Sequence, residues 1–168
     1  MSGLRGRERL QPSLLDRLTD HAPDQRRDPP EQQVMTMPQL RQAVLRDLGN
    51  LMNTSNLSTL IDLSDTPLVA RSTVNFGIPG FAGTTGALSR AGALERELAD
   101  AIKAFEPRIR PETVRVRLRG SRIDDANPTL VFEIEGELWS QPVPIQVFFE
   151  TAIEMETRVA SVTEAKAF

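Results

Sequence analysis

Leu88, Ala91, Leu94, Leu98, Ile102 and Phe105 recur at spacings of three and four, while Arg90, Glu95, Arg96, Glu97, Asp100 and Lys103 occupy the positions between them. That is one apolar stripe on an amphipathic helix, and it ends abruptly. Pro107 disfavours the α conformation at Glu106 and has no N–H for the helical ladder, so the helix is expected to stop near Phe105. Val114, Val116 and Leu118 then alternate with Arg115, Arg117 and Arg119, the period of a half-buried strand. The segment Ala104-Phe105-Glu106-Pro107-Arg108-Ile109 is therefore predicted to be a helix-to-strand corner carrying two opposite charges. Taken alone, Glu-Pro-Arg is a weak signal, and surface or locally paired charges that shape the corner are its simpler reading.

Beyond the corner the pattern is of strands. Spans 112 to 119, 129 to 139 and 143 to 153 are predicted, separated by turn signals at Asp124-Asp125-Ala126-Asn127-Pro128 and Gln141-Pro142, which make an antiparallel meander. In the third strand Val143, Ile145, Val147, Phe149, Thr151 and Ile153 share one face. Pro142 and Pro144 point to an edge or bulge at its start, because proline cannot donate to the ladder. An apolar edge there can take another chain's strand, which makes Ile145, Val147 and Phe149 candidate partner-binding residues. A further strand within Met155 to Val162 would instead cover that edge from inside the domain. The Arg115, Arg117, Arg119 row is expected to face the Glu133, Glu135, Glu137 row as cross-strand pairs rather than to bind phosphate, in keeping with a net charge of -3.

Residues 1 to 35 hold Pro12, Pro23, Pro29 and Pro30 among many charges and read as an N-terminal arm. One short helical turn is expected in it, capped by Ser13 with Asp16 as the acid of a capping box, and Leu14, Leu15 and Leu18 as a small apolar patch. Thr36 with Gln39 opens a second long helix through Leu40, Val44, Leu48, Leu51 and Met52, ending at Asn53-Thr54-Ser55. From 55 to 86 the pattern loosens. Asn75-Phe76-Gly77-Ile78-Pro79-Gly80-Phe81-Ala82-Gly83 is a loop, since it lacks the Gly-Lys-Ser/Thr ending of a phosphate-binding loop. The expected fold class is α+β: two main helices packed on a three- to four-stranded, largely antiparallel sheet, with the arm at 1–35 and a single domain at 36–168.

Composition removes several chemistries. With no cysteine the chain has no disulfide and no thiolate ligand or nucleophile, and its one histidine, His21, cannot build a His-rich metal site. No cofactor is implied. Met1 to Leu10 is charged and lacks the apolar core of a signal peptide, so a cytoplasmic location is expected.

Four segments in order resemble the TssE family of type VI secretion baseplate subunits, part of the phage baseplate wedge family with a historical "lysozyme-like" label. They are Pro12-Ser13-Leu14-Leu15-Asp16-Arg17-Leu18, Val44-Leu45-Arg46-Asp47-Leu48 with Leu51-Met52-Asn53-Thr54, Ser72-Thr73-Val74-Asn75-Phe76-Gly77-Ile78-Pro79, and Phe105-Glu106-Pro107-Arg108. The resemblance implies a non-enzymatic wedge subunit of a contractile injection machine, at a baseplate docked on the inner-membrane complex. It implies TssF and TssG as partners, with TssK a further one to test, and the first TssB and TssC sheath ring above. It further implies that Glu106, Pro107 and Arg108 act at the wedge core and that the sheet continues the sheath's strand exchange. The competing class is peptidoglycan hydrolysis, with Glu106 as the acid, which requires a second carboxyl about 5 to 9.5 Å away. One Trp, no Tyr and seven Phe offer little to stack on sugars. A third reading is an adaptor of the same fold outside secretion.

Overall fold

The computed structural model describes residues 13–19, 23–24, 35–80, 91–124, 127–139 and 144–165, with the backbone alone at 91, 122–124, 127 and 128. His21 and the helix start at Leu88 lie outside the described residues, as does most of the 1–35 arm.

Four helices are described: α1 (Leu14–Leu18), α2 (Met37–Met52), α3 (Pro67–Ala70) and α4 (Ala91–Phe105). Ser13 and Asp16 cap α1 reciprocally, as do Thr36 and Gln39 on α2, so both helix starts follow from the local sequence. The stripe on α2 buries Leu40, Ala43, Val44, Leu48, Leu51 and Met52. That on α4 buries Leu94, Leu98, Ala99, Ala101 and Ile102.

Both helices cover one face of a four-stranded antiparallel sheet in the order β1 (Arg115–Asp124), β2 (Asn127–Leu138), β3 (Ile145–Glu154), β4 (Ala160–Glu164). Helix α4 lies against β1 and α2 against β4. The register sets Val116 opposite Ile134, Ile134 opposite Phe149, and Leu130 opposite Ile153, so the alternating apolar residues of three strands form one continuous wall. The fold class is the α+β arrangement expected. Strand β1 runs beyond the expected end at 119, because a register shift between Leu118 and Gly120 accommodates an extra residue and lets pairing continue to Asp124. Arg115 and Arg117 do face Glu135 and Glu133, but the ion pair formed across these rows joins Arg119 to Glu133 at 3.9 Å.

The choice left open at β3 is decided by β4. Residues 160 to 164 pair with 149 to 153, so β3 is an inner strand over this half. Asn53 fastens the start of β4 to the end of α2: its side chain donates to the Ala160 carbonyl at 2.8 Å and accepts from the Ala160 N–H at 2.9 Å. Val147 and Phe149 are in the core, at 2% and 0% exposure, and Ile145 is half-buried. Both side chains point at the helices, where alternation on a one-sided sheet puts them, so a strand added along β3 would meet its main chain.

The segment from 53 to 80 is built around two buried asparagines. Asn56 Oδ1 accepts from Thr59 N–H and from the Ser58 and Thr59 hydroxyls, and Asn75 bridges Ser58 N–H and the Ala70 carbonyl. Gly77 closes the loop at φ 125°, where an added Cβ would lie 2.3 Å from the Thr54 carbonyl oxygen. Gly77→Ala is expected to cost about 2 kcal/mol or more in urea denaturation, from the positive φ and the collision together. Gly49→Ala in α2, where nothing lies within 4 Å of the new methyl group, should stabilise by about 0.5 kcal/mol. Equal effects at the two glycines would refute this account of the loop.

Candidate functional site

The corner forms because four backbone bonds redirect the chain as the helix ends. Glu106 N–H closes the last turn on the Ile102 carbonyl at 2.9 Å, and Ile109 N–H turns back to the Glu106 carbonyl at 3.1 Å. The chain then runs beside the end of β2, with Trp139 N–H donating to the Arg108 carbonyl and Arg110 N–H to the Glu137 carbonyl. Gly136 permits this approach, since a Cβ there would sit 2.7 Å from Ile109 Cγ2.

Glu106 and Arg108 close on each other. Arg108 Nε donates to Glu106 Oε1 at 2.7 Å and Nη2 to Oε2 at 2.5 Å, a two-pronged pair. The Arg108 N–H also donates to Glu106 Oε1, at 3.1 Å. The Glu106 side chain is 3% exposed and that of Arg108 21%, so Glu106 is turned inward at the corner. Pro107, between them, is exposed. Both oxygens of Glu106 are engaged with Arg108, which leaves this residue poorly placed to deliver a proton to a glycosidic oxygen.

The spacing of charges in the sequence did not reveal the third member. Asp47 of α2, sixty-one positions away, accepts from Arg108 Nη2 at 2.6 Å. It also accepts from its neighbour Arg46 at 2.8 Å, and Arg46 reaches Asp16 of α1 at 2.6 Å. Asp16, Arg46, Asp47, Arg108 and Glu106 thus form one chain of alternating charge across three elements. Two charged residues adjacent on α2 beside buried Leu48 were the visible signal, but nothing local says which partner each takes. Burial works against the Arg108 charge, yet the Glu106 and then the Asp47 carboxylates outweigh it and raise its pKa. Burial likewise pushes the Asp16 carboxyl up, and the hydrogen bonds from Ser13 and Arg46 outweigh it and hold the group below its ordinary value.

Beside this charge chain lies an open groove of about 540 Å³, lined by Leu15, Leu51, Phe76, Phe105 and Pro107 on its apolar side and by Asp47 and Arg108 on its polar side. Phe76 and Phe105 meet edge to face at 5.4 Å, joining the 53–80 loop to the corner. Among the described residues Arg108 Nη1 has no hydrogen-bond acceptor although it is buried from solvent, so it is a donor that a partner could satisfy. Among the described residues no group of three or more His, Cys, Asp or Glu side chains is arranged to hold a metal ion.

Comparison with protein families matches residues 38–143 to the baseplate wedge protein gp25 family. The chain belongs to that family. The match runs from the first turn of α2 to just short of β3, and so contains the whole Asp47–Arg108–Glu106 set. Comparisons with curated proteins and with solved structures return no match. As a gp25-family member the chain is a structural component of a phage-tail-like baseplate.

Proposed function

We propose that this gp25-family chain is the wedge subunit of a type VI secretion baseplate, binding TssF and TssG at the Glu106-Pro107-Arg108 corner and anchoring the first TssB and TssC sheath ring through its sheet. Its place would be the cytoplasmic side of a bacterial inner membrane, with TssK a further partner to test. The observation that carries the corner's role is the buried Nη1 of Arg108, without an acceptor among the described residues, beside an apolar groove. A partner backbone carbonyl or carboxylate entering the groove would satisfy that donor while its apolar neighbours cover Phe76 and Phe105, a pairing of apolar contact with a desolvated hydrogen bond.

The two sheet edges differ in a way that supports the sheath reading. On the β1 edge the Leu118 N–H donates to Glu95 Oε1 of α4 at 2.7 Å, and the register shift at Leu118 and Gly120 disrupts the ladder. These features blunt an edge against strand addition. On the other side β4 is short: its ladder reaches Phe149, and the Ala165 N–H adds one bond to the Phe148 carbonyl at 2.8 Å. Among the described residues no strand lies against Ile145, Gln146 and Val147 on that side. The main chain of β3, rather than its core side chains, is the available contact.

Co-purification with tagged TssF and TssG tests the corner. Wild type is expected to be retained, and the Glu106→Ala, Arg108→Ala double variant to be lost, after circular dichroism shows the variant still folded. A folded double variant retained as well as wild type would remove the corner's role, and failure of wild type to bind would favour an adaptor outside secretion.

A further inference from the structure

α1 is five residues long, too short to persist as a helix in water by its own backbone bonds. Packing does little for it, because Leu14, Leu15 and Leu18 are 74%, 52% and 74% exposed. Yet Ser13 and Leu15 line the corner groove together with Leu51, Phe105 and Arg108, so the helix lies along one side of it. One tie that holds it there is the Arg46–Asp16 bond, and the Asp16 side chain is 11% exposed in that contact. Arg46 is itself held in position by Asp47, the residue that also receives Arg108.

We propose that α1 is a strap fastened across the corner groove by Arg46, and that its fastening is coupled through Asp47 to the charges that hold Arg108 and Glu106. Asp47 is shared: one oxygen takes Arg46 and the other takes Arg108. A partner that draws Arg108 toward itself changes what Asp47 can offer Arg46, and with it the grip on Asp16. In the free subunit the strap forms one side of the groove, so engaging the corner and releasing the strap are linked events. The linkage to assembly rests on the wedge reading, whereas the fastening itself is a property of the isolated chain.

Amide hydrogen exchange by NMR on the full chain tests the fastening without any partner. The reporters are the Arg17 and Thr19 amides, which donate within α1 to the Ser13 and Leu15 carbonyls at 3.0 Å each. Arg46→Ala should speed their exchange about tenfold, the size expected for losing one charge-assisted hydrogen bond. Asp47→Asn should speed it several-fold although Asp47 makes no hydrogen bond to α1 among the described residues, with Val44 and Leu48 amides unchanged in both variants. Asp16 is not the residue to alter, because it also caps α1 through Ser13. Unchanged exchange in Arg46→Ala overturns the strap, and unchanged exchange in Asp47→Asn overturns the coupling. In co-purification with TssF and TssG, Arg46→Ala should bind as well as wild type or better. Weaker binding would make α1 part of the interface rather than a cover, overturning the proposal. Absence of binding by wild type would count against the wedge reading and leave the exchange result standing.

Discussion

Arg108→Ala is expected to lower the unfolding free energy by about 3 kcal/mol, because it leaves the Glu106 carboxylate buried without its counter-charge. The Glu106 side chain is 3% exposed, and after the substitution its only remaining donor among those described is the Arg108 backbone N–H. The companion Glu106→Leu, Arg108→Ala double variant should cost less than the sum of the two single variants, since it removes the stranded charge along with the bond. Urea denaturation with an unchanged slope reads both. A loss below about 1 kcal/mol, the value typical of an exposed pair, would show that water reaches Glu106 and that the corner is a surface feature. The result also bears on the assembly experiment. A variant that unfolds will fail to bind for reasons unrelated to the interface, so Arg108→Lys, which keeps the charge but not the planar two-pronged geometry, is the better companion there.

The second large effect is at Phe149. Phe149→Ala should cost about 3 to 5 kcal/mol, from lost burial and the cavity left against the helices. Its neighbour Phe148, half-buried on the opposite face, should cost about 1 kcal/mol or less on the same change. Chemical denaturation of the two single variants separates them. A larger loss at Phe148 than at Phe149 would mean that the strand is shifted by one residue, because alternation gives the two positions opposite faces.

The helix stops, the caps and the strand alternation were legible because each depends on residues within a few positions of one another. Ser13 with Asp16, Thr36 with Gln39, and Pro107 after Phe105 are local devices, and the structure has each of them where the spacing placed it. The order of the strands was legible for the same reason, since short connections make a meander. Less was readable at the sheet edge. Both a covering strand and an open edge suited the residues after 154, and among the described residues β4 pairs with 149 to 153 of β3, its start held by Asn53 at the end of α2. Loop 55–80 gave no helical period, yet it contains α3 and two 3-10 turns organised by asparagine side chains that take the place of backbone partners.

By itself the sequence determined the α+β class, the bounds of the two long helices to within a residue at the ends described, and a charged corner at Glu106 and Arg108. Only the tertiary structure decided what those charges do. Arg108 meets Asp47 across sixty-one residues, and Asp47 passes the connection to Arg46 and α1. The same packing buries Phe149 against the helices and sets β4 beside its strand. Periodicity records which face a residue takes on its own element, whereas charge pairing and edge coverage depend on which elements the core brings side by side, a choice made by the summed burial of many residues.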